Sequence, residues 1–499
     1  MTALFGLGAA QVTYSQPPRN EQIEVVSYPD KKIRDLVPTT REGLSEMQRD
    51  QESTFNPQTA QLQAQFANDA PMADIIQTWN KATSSVQVYG STLWVTGAKA
   101  LKDDDQISQE DLDAAKEAIV MTYNEKFQNP DFKAAFEGYA LKKLDEDADL
   151  KPFEWHYLYC IAQGYGYNDL ATDLQAKGTQ NFNSFETNAP KKTLPKDGAF
   201  STLSGNIIFM PANYTYFFGG IQPWAERIEG IGNIILEQDA DVVALQEVFD
   251  EEGAKALIDK LGSKYRYFNY DIGPNYFGHN APEAPGIDAK NLGINSGLFI
   301  ASKYPIDQPA FIPFQVEGMQ WQVNKGFFVA NIRSDDRVIA RIISSHLQPF
   351  NSDADRKIRQ AEIAAVTDYL TTHPIKAPTF FEGDLNVVFG PRLFDGELVD
   401  EYQHSGILEN YIDLGNMNVT AVTDDSYTCT DMFEDAVYDR EVSAPFIYDY
   451  VLLAKSDASK VENTTVRLVD THNKNDLTQQ PLSDHRLLRM DTTLQVSHP

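Results

Sequence analysis

Apolar and polar positions along the chain follow two different rhythms. Up to Asp197 the apolar positions recur at helical spacing. Phe132, Phe136, Tyr139, Ala140 and Leu144 share one helical face, and Leu112, Ala115, Ile119 and Tyr123 share another. Ser108, three residues ahead of Asp111, reads as a capping box where the latter helix begins. From Gly198 onward the rhythm changes to short apolar runs of β type alternating with amphipathic helices. Strands are expected at Gly205–Met210, Val242–Leu245, Gly297–Ser302, Gly326–Ile332, Val338–Ser345, Pro378–Glu382, Ile447–Leu453 and Leu487–Met490. Helices are expected at Trp224–Gln238, Glu252–Leu261 and Asp355–Thr371. Several of these strands follow one another with no helix between them, which disfavours a parallel barrel. The pattern predicts an α/β (α+β) four-layer sandwich of two packed β-sheets flanked by helices. Asn188 to Gly198, with Pro190 and Pro195, reads as a linker. The expected division is a mainly helical N-terminal extension, 1–197, and a second unit, 198–499.

Composition narrows what such a chain does. Its 499 residues hold 42 Lys+Arg and 72 Asp+Glu, a net charge of −30. Sequence-independent nucleic-acid binding depends on clustered Lys and Arg that displace counterions, so no nucleic-acid partner is expected. Cys160 and Cys429 are the only cysteines and lie far apart, which excludes a disulfide framework and a cysteine-based zinc site. No apolar run approaches the roughly 18 residues of a membrane span. The first ten residues lack the basic segment of a secretory signal, so Sec-type export is not expected, and the compartment is left open.

The informative polar residues sit where the apolar runs end. Asn206 lies in the first run, and Glu247 follows Val242–Leu245. His346 closes the Val338–Ser345 run. Asp384 and Asn386 follow Pro378–Glu382, Asp449 lies in the Ile447–Leu453 run, and Asp484 and His485 precede the last strand. Each alone has an ordinary structural explanation. Their joint order suits phosphate-ester hydrolysis at the rim of two packed sheets. Oxygen ligands for Mg2+ are available from Asn206, Glu247, Asp384, Asn386 and Asp484. Imidazole supplies a base near neutral pH, Asp449 can orient His485, and His346 can donate to a phosphate oxygen as charge builds.

At Val242–Asp250 (VVALQEVFD), Asn295–Ile306 (NSGLFIASKYPI), Asn324–Phe327 (NKGF), Ser345–Gln348 (SHLQ), Glu382–Val387 (EGDLNV), Tyr448–Val451 (YDYV) and Leu482–His485 (LSDH), the chain resembles the endonuclease/exonuclease/phosphatase superfamily, with its DNase I-like fold. Within that superfamily the resemblance is to neutral sphingomyelinases. It implies a phosphodiesterase that uses Mg2+, or Mn2+ or Co2+ in its place, on sphingomyelin or a related phospholipid at a membrane surface. Glu247 would be the main metal ligand, with Asn206 and Asp484 assisting. His485, oriented by Asp449, would be the general base. His346 would stabilise or protonate, Asp384 and Asn386 would hold water and phosphate, and Asn295 and Lys325 would contact phosphate. One departure bears on membrane engagement. Secreted bacterial sphingomyelinases carry an aromatic-tipped hairpin between the Asp-Tyr and Ser-Asp-His motifs, whereas Ala454 to Pro481 holds no Phe, Trp or Tyr. The aromatic stretch Tyr214 to Trp224 could substitute for it. Residues 1–197 carry none of the motifs of this resemblance and could serve a partner protein, targeting or a lid. The competing readings are a nuclease of the same fold and a catalytically silent binding protein.

Overall fold

Apolar alternation in the second unit builds two sheets that bury one face against each other and the other face under helices. The computed structural model describes residues 40–79, 82, 107–178, 180–210, 223–273, 295–315, 323–394, 397–416, 426–429, 446–471 and 482–495. Its strands in chain order are β1 (Asn183–Glu186), β2 (Ala199–Phe209), β3 (Val242–Val248), β4 (Tyr267–Tyr270), β5 (Phe299–Ser302), β6 (Ile306–Pro313), β7 (Gly326–Ser334) and β8 (Arg337–His346). They continue with β9 (Thr379–Asp384), β10 (Arg392–Phe394), β11 (Glu397–Val399), β12 (Tyr411–Asp413), β13 (Asp449–Ala454), β14 (Val461–Val469) and β15 (Leu487–Leu494). One sheet runs β1-β4-β5-β3-β2-β15-β14 and the other β12-β13-β9-β8-β7-β6, while β10 and β11 form a separate two-stranded ribbon.

The layers follow from side-chain parity. Inward positions such as Val242, Ala244, Ile300, Ala330, Ile342, Phe380, Val451 and Met490 fill the space between the sheets. The alternate positions Leu203, Val243, Leu245 and Phe299 pack beneath helices Trp224–Gln238 and Glu251–Leu261. On the far side Val329, Ile343, Phe381 and Leu452 pack beneath helix Asp353–Thr372. The molecule has the expected four layers. Each fully buried Ile, Leu or Phe in them contributes about 1.5–3 kcal/mol.

Two parallel pairs place the chemistry. Strands β2 and β3 are parallel and joined through helix Trp224–Gln238, and β8 and β9 are parallel and joined through helix Asp353–Thr372. Both pairs end at one rim. Asp384 stands in register with His346 on one side and Asp449 on the other, and Leu488 with Ser204.

The N-terminal helices Arg41–Ala67, Gln109–Phe127, Pro130–Asp145, Pro152–Gly164 and Asn168–Lys177 share a core drawn from Leu44 to Leu174. Phe66 packs edge-on to Phe132 and Phe136, at ring distances of 5.8 and 5.5 Å. Phe132, Phe136, Tyr139 and Ala140 are buried as one face. The Ser108–Asp111 capping box forms with both reciprocal hydrogen bonds. Leu112 and Ala115 are buried, while the side chains of Ile119 and Tyr123 lie outside the described residues.

The expected linker differs from what is observed. Phe182 joins the core between the sheets and β1 pairs with β4, both ahead of residue 198. Lys192 N donates to Lys303 O at 3.1 Å and Leu194 N to Ser334 Oγ at 2.9 Å, so this stretch is pinned along the sandwich. Prolines here mark an irregular path against a surface rather than a free tether. Among the described residues no helix is long and apolar enough to cross a membrane.

Candidate active site

Backbone irregularity sets the rim before any side chain does. Ile208, Glu247 and Asn386 adopt left-handed φ values of 50°, 59° and 53°. For a β-branched residue such as Ile208 this is a strained conformation, and strain of this kind concentrates at functional sites. It has a visible cause. The β2–β3 register breaks between Asn206 and Phe209, which bends the strand end and re-aims its side chains. Asn206 Oδ1 accepts the Ile208 N–H at 3.1 Å and steadies the bend.

Asp384 is the hub. Asn206 Nδ2 donates to its Oδ2 at 3.1 Å across the two sheets. The same oxygen lies 3.6 Å from His346 Nε2 and 3.7 Å from His485 Nε2. His346 Nε2 is also 3.9 Å from Glu247 Oε1. His485 Nδ1 bonds Asp449 Oδ2 at 2.7 Å. All of these groups are buried. Neither carboxylate oxygen of Glu247, nor Nε2 of either histidine, meets a hydrogen-bond partner. Leaving so many buried polar atoms orphaned is costly, about 1–3 kcal/mol each, unless a ligand or ion completes them.

The electrostatics divide the two histidines. Burial, reinforced by the charges of Lys325 and His485, holds His346 well below the ordinary imidazole range. Burial also pushes His485 down, but the charges of Cys429, Asp449 and Asp384 and the Asp449 hydrogen bond outweigh it, and its pKa is raised. Burial lifts Glu247 to about 7; the Asn206 amide opposes the rise, and the charges of Asp484 and Asp384 add to it. Burial lifts Asp384 to about 6 against the charge of His485.

Among the described residues, Glu247, His346 and Asp384 offer ligand atoms within 4.8 Å of one another, and so do Asp384, Asp449 and His485. Asp484 groups with His485 and Cys429. The buried acidic and imidazole groups can hold a metal ion, and the carboxylates suit a hard divalent cation. Asn386 N donates to Asp384 Oδ1 at 3.1 Å and its Nδ2 to Leu347 O at 3.2 Å, bracing the hub.

Two residues expected at the phosphate also make hydrogen bonds to the surrounding loops. Asn295 Nδ2 donates to Phe249 O at 3.1 Å and to Asp271 Oδ1 at 2.9 Å, and its Oδ1 accepts from Gly297 N at 2.8 Å. It shapes the loop entering β5 and the turn after Glu247. Lys325 is buried and donates to the carbonyls of His346 and Leu347 at 3.0 and 2.8 Å. Burial lowers its pKa to about 8. It anchors the His346 backbone from below.

Other positioning residues were not evident in the sequence. Buried Arg227, on the helix between β2 and β3, donates to Ile207 O at 2.7 Å, to Leu482 O at 2.5 Å and to Ile208 O. It ties the Asn206 end of β2 to the segment carrying Asp484 and His485. Ser483 Oγ donates to Asn206 O at 2.8 Å, closing the same junction. Thr428 Oγ1 accepts from Tyr448 N and Asp449 N at 2.9 and 3.1 Å. The only sequence signal for Arg227 is a charged residue on the apolar side of an amphipathic helix. The aromatic stretch Tyr214 to Trp224 lies outside the described residues except for Pro223 and Trp224.

The model of the Endonuclease/Exonuclease/phosphatase family matches residues 215–485, more than half of the chain. The chain belongs to this family. Among relatives of this Endonuclease/Exonuclease/phosphatase chain, Sphingomyelinase C of Listeria ivanovii is 27% identical over 290 residues, covering 56% of this chain and 79% of that protein. Sphingomyelinase C of Leptospira interrogans is 27% identical over 209 residues, 40% of this chain and 36% of that protein, so the match spans about a third of its length. The crystal structure of SmcL aligns with a TM-score of 0.45 at 22% identity, covering 59% of this chain and 99% of that chain.

Proposed function

We propose that this protein is a metal-dependent phosphodiesterase that cleaves sphingomyelin or a related phospholipid on the phospholipase C side of the phosphate. The observation that carries the reading is the buried set of Glu247, His346 and His485, whose orphaned polar atoms converge on one rim around Asp384. The sphingomyelinase names of the relatives support the substrate class.

In this reading Glu247 is the principal ligand for Mg2+, with Asn206 and Asp484 assisting; Mn2+ or Co2+ would suit the same oxygens. A divalent cation held there supplies charge for a phosphate oxygen and, by repulsion, favours neutral His485. His485 then accepts the water proton at Nε2, because Asp449 fixes the proton on Nδ1. His346 faces the same point from the other pair of strands and donates to the phosphoryl oxygen or leaving group. Asp384 and Asn386 hold water and phosphate in line. Lys325 and Asn295 act by shaping the wall.

The acidic chain disfavours the nuclease alternative, since polyanion steering needs a basic groove. The intact donor set disfavours a silent binding protein. A membrane surface is the proposed partner. Leu393 and Leu398 face each other across the β10–β11 ribbon and are about 70% exposed. Arg392, beside Leu393, sits 5.1 Å over the Phe446 ring, which stacks on Tyr448 next to Asp449. The ribbon therefore offers an apolar footing joined to the site. We also read a helical unit open to a partner protein and a catalytic unit, and place the boundary ahead of the expected 197/198, because β1 and residues 182–197 pack on the sandwich. The self-contained helical core supports this, with packing that changes hands between Leu174 and Phe182.

The test is one panel of sphingomyelin, phosphatidylcholine, a phosphoinositide and plasmid DNA, with Mg2+ present or chelated. Phosphocholine release that needs Mg2+ and falls about 10³-fold or more in His485→Ala is expected. DNA cleavage without lipid cleavage, or no cleavage of anything, would overturn the reading.

A further inference from the structure

Cys429 is completely buried on a short segment that bridges Phe446 on one side and His485 on the other. Its Sγ, a carboxylate oxygen of Asp484 and a ring nitrogen of His485 lie within 4.8 Å of one another. Asp449 engages His485 Nδ1, so an ion bound by this trio would have to take the lone pair of Nε2. Nε2 lies 3.8 Å from Asp484 Oδ1 and, though fully buried, has no hydrogen-bond partner.

The chemistry of this trio differs from that of Glu247 and Asp384. Mg2+ takes oxygen ligands, and a thiolate is a poor one for it. Zn2+ and Cd2+ accept sulfur, imidazole nitrogen and carboxylate oxygen together in tetrahedral geometry. Bonds of about 2.0–2.3 Å at tetrahedral angles put neighbouring ligand atoms roughly 3.3–3.6 Å apart. The observed Nε2 to Asp484 Oδ1 separation needs only a few tenths of an ångström of closure. The two-cysteine count rules out a site built on cysteines alone, but not one thiol completed by histidine and aspartate.

We propose that Cys429, Asp484 and His485 form an inhibitory site for a thiophilic divalent cation, Zn2+ being the physiological case. On binding, Cys429 Sγ coordinates as the thiolate, any proton it carries passing to solvent as the sulfur–metal bond forms. The ion also takes the Nε2 lone pair. The inhibitory consequence rests on the proposed role of His485, because that lone pair is the one assigned to the attacking water; binding itself does not depend on it.

Binding is read by the thiolate-to-metal charge-transfer absorption of bound Cd2+. Cys160 lies 3.3 Å from His156 Nε2 and could give its own signal, so the background is the full chain carrying Cys160→Ser. The band is expected in that background with one equivalent of Cd2+, and is expected to vanish when Cys429→Ala is added. With saturating Mg2+, the Zn2+ concentration for half-inhibition of lipid hydrolysis should rise at least tenfold in Cys429→Ala, each protein's inhibition being measured against its own activity without Zn2+. Cys429→Ser, nearly isosteric, repeats both measurements if the alanine protein folds poorly. A band that survives loss of Cys429, or no band in the background protein, overturns the site. Equal Zn2+ inhibition with and without Cys429 overturns its inhibitory role. If no lipid is hydrolysed at all, the functional reading fails, and the Cd2+ band still decides the site.

Discussion

Asp449 Oδ2 accepts from His485 Nδ1 at 2.7 Å, with both side chains buried. Thr428 receives the Asp449 N–H, so the carboxylate is held on a fixed backbone. The pair sets the tautomer in which Nε2 is free to take a proton. Asp449→Asn keeps the shape and removes the charge. An asparagine amide that donates to Nδ1 forces the proton onto Nε2 and disables the base. Activity should fall on the order of 10²–10⁴-fold with little change in KM. The charge of Asp449 also raises the His485 pKa, so the acidic limb of the rate profile should move to lower pH in whatever activity remains. Steady-state rates across pH decide the matter, and an unchanged kcat would remove Asp449 from the mechanism.

Glu382 lies on the inward face of β9, two residues before Asp384, and accepts from Thr202 Oγ1 of the opposite sheet at 2.8 Å. Its other oxygen has no partner. Burial lifts its pKa to about 7, against the Thr202 hydrogen bond. The usual carboxylate case is reversed here. Between the unfolded value of about 4.3 and the folded one, the native state holds a proton that the unfolded chain has released. Stability therefore falls as pH rises through that window and is flat above it. The whole window is worth about 3 kcal/mol. Glu382→Gln keeps an acceptor for Thr202 and cannot ionise. It should be more stable than the parent by up to about 3 kcal/mol at pH ~8 and nearly equal at pH ~4.5. Urea unfolding at both pH values checks this, and a difference independent of pH would count against it.

Arg227 donates to three backbone carbonyls, those of Ile207, Ile208 and Leu482. Burial lowers its pKa to about 9, while the charges of Asp484 and Glu247 pull it up. Arg227→Met fills the space and orphans all three oxygens, with an expected loss of about 3 kcal/mol or more. Because the carbonyls belong to Ile207, Ile208 and Leu482, the damage falls on the Asn206 and Asp484 segments. Denaturant midpoint and Mg2+ requirement should worsen together. Loss of stability with an unaltered Mg2+ dependence would make Arg227 a purely structural residue.

The strands legible in the sequence and those that were missed differ by position in the sheet. The expected runs at β2, β3, β5, β7, β8, β9, β13 and β15 are interior strands, buried on both faces and continuous in apolar residues. The four edge strands, β1, β14, β12 and β6, were not expected, and neither was β4, an interior strand of only four residues with half-buried ends. β14 reads VENTTVRLV and β6 carries Pro309 and Pro313, a composition suited to edges and invisible to a search for apolar runs. The rim residues were legible because ionisable groups at the ends of apolar runs are conspicuous. Asn295 and Lys325 show what such reading leaves out. Their motifs mark them, but their bonds to backbone carbonyls and to Asp271 could not be read from the sequence.

The β10–β11 ribbon carries the last prediction. Leu393 and Leu398 are directly paired and exposed, and the ribbon's base is locked. Glu401 accepts from Val388 N at 3.1 Å and is clamped by Arg359 at 2.6 and 2.9 Å. Arg356 sits 5.0 Å over Phe394 from the neighbouring helix. A rigid base under two exposed leucines suits insertion among lipid headgroups, and a chain of net charge −30 favours a zwitterionic surface over an anionic one. Burying about half of each leucine is worth about 1 kcal/mol apiece. Leu393→Ser with Leu398→Ser should then weaken binding to phosphatidylcholine–sphingomyelin vesicles on the order of thirtyfold. Hydrolysis of a water-soluble phosphodiester should be unchanged, because both leucines are exposed to solvent while the rim residues are buried. Vesicle sedimentation in the presence of chelator separates binding from turnover. Equal sedimentation of parent and double variant would place the membrane contact elsewhere on the molecule.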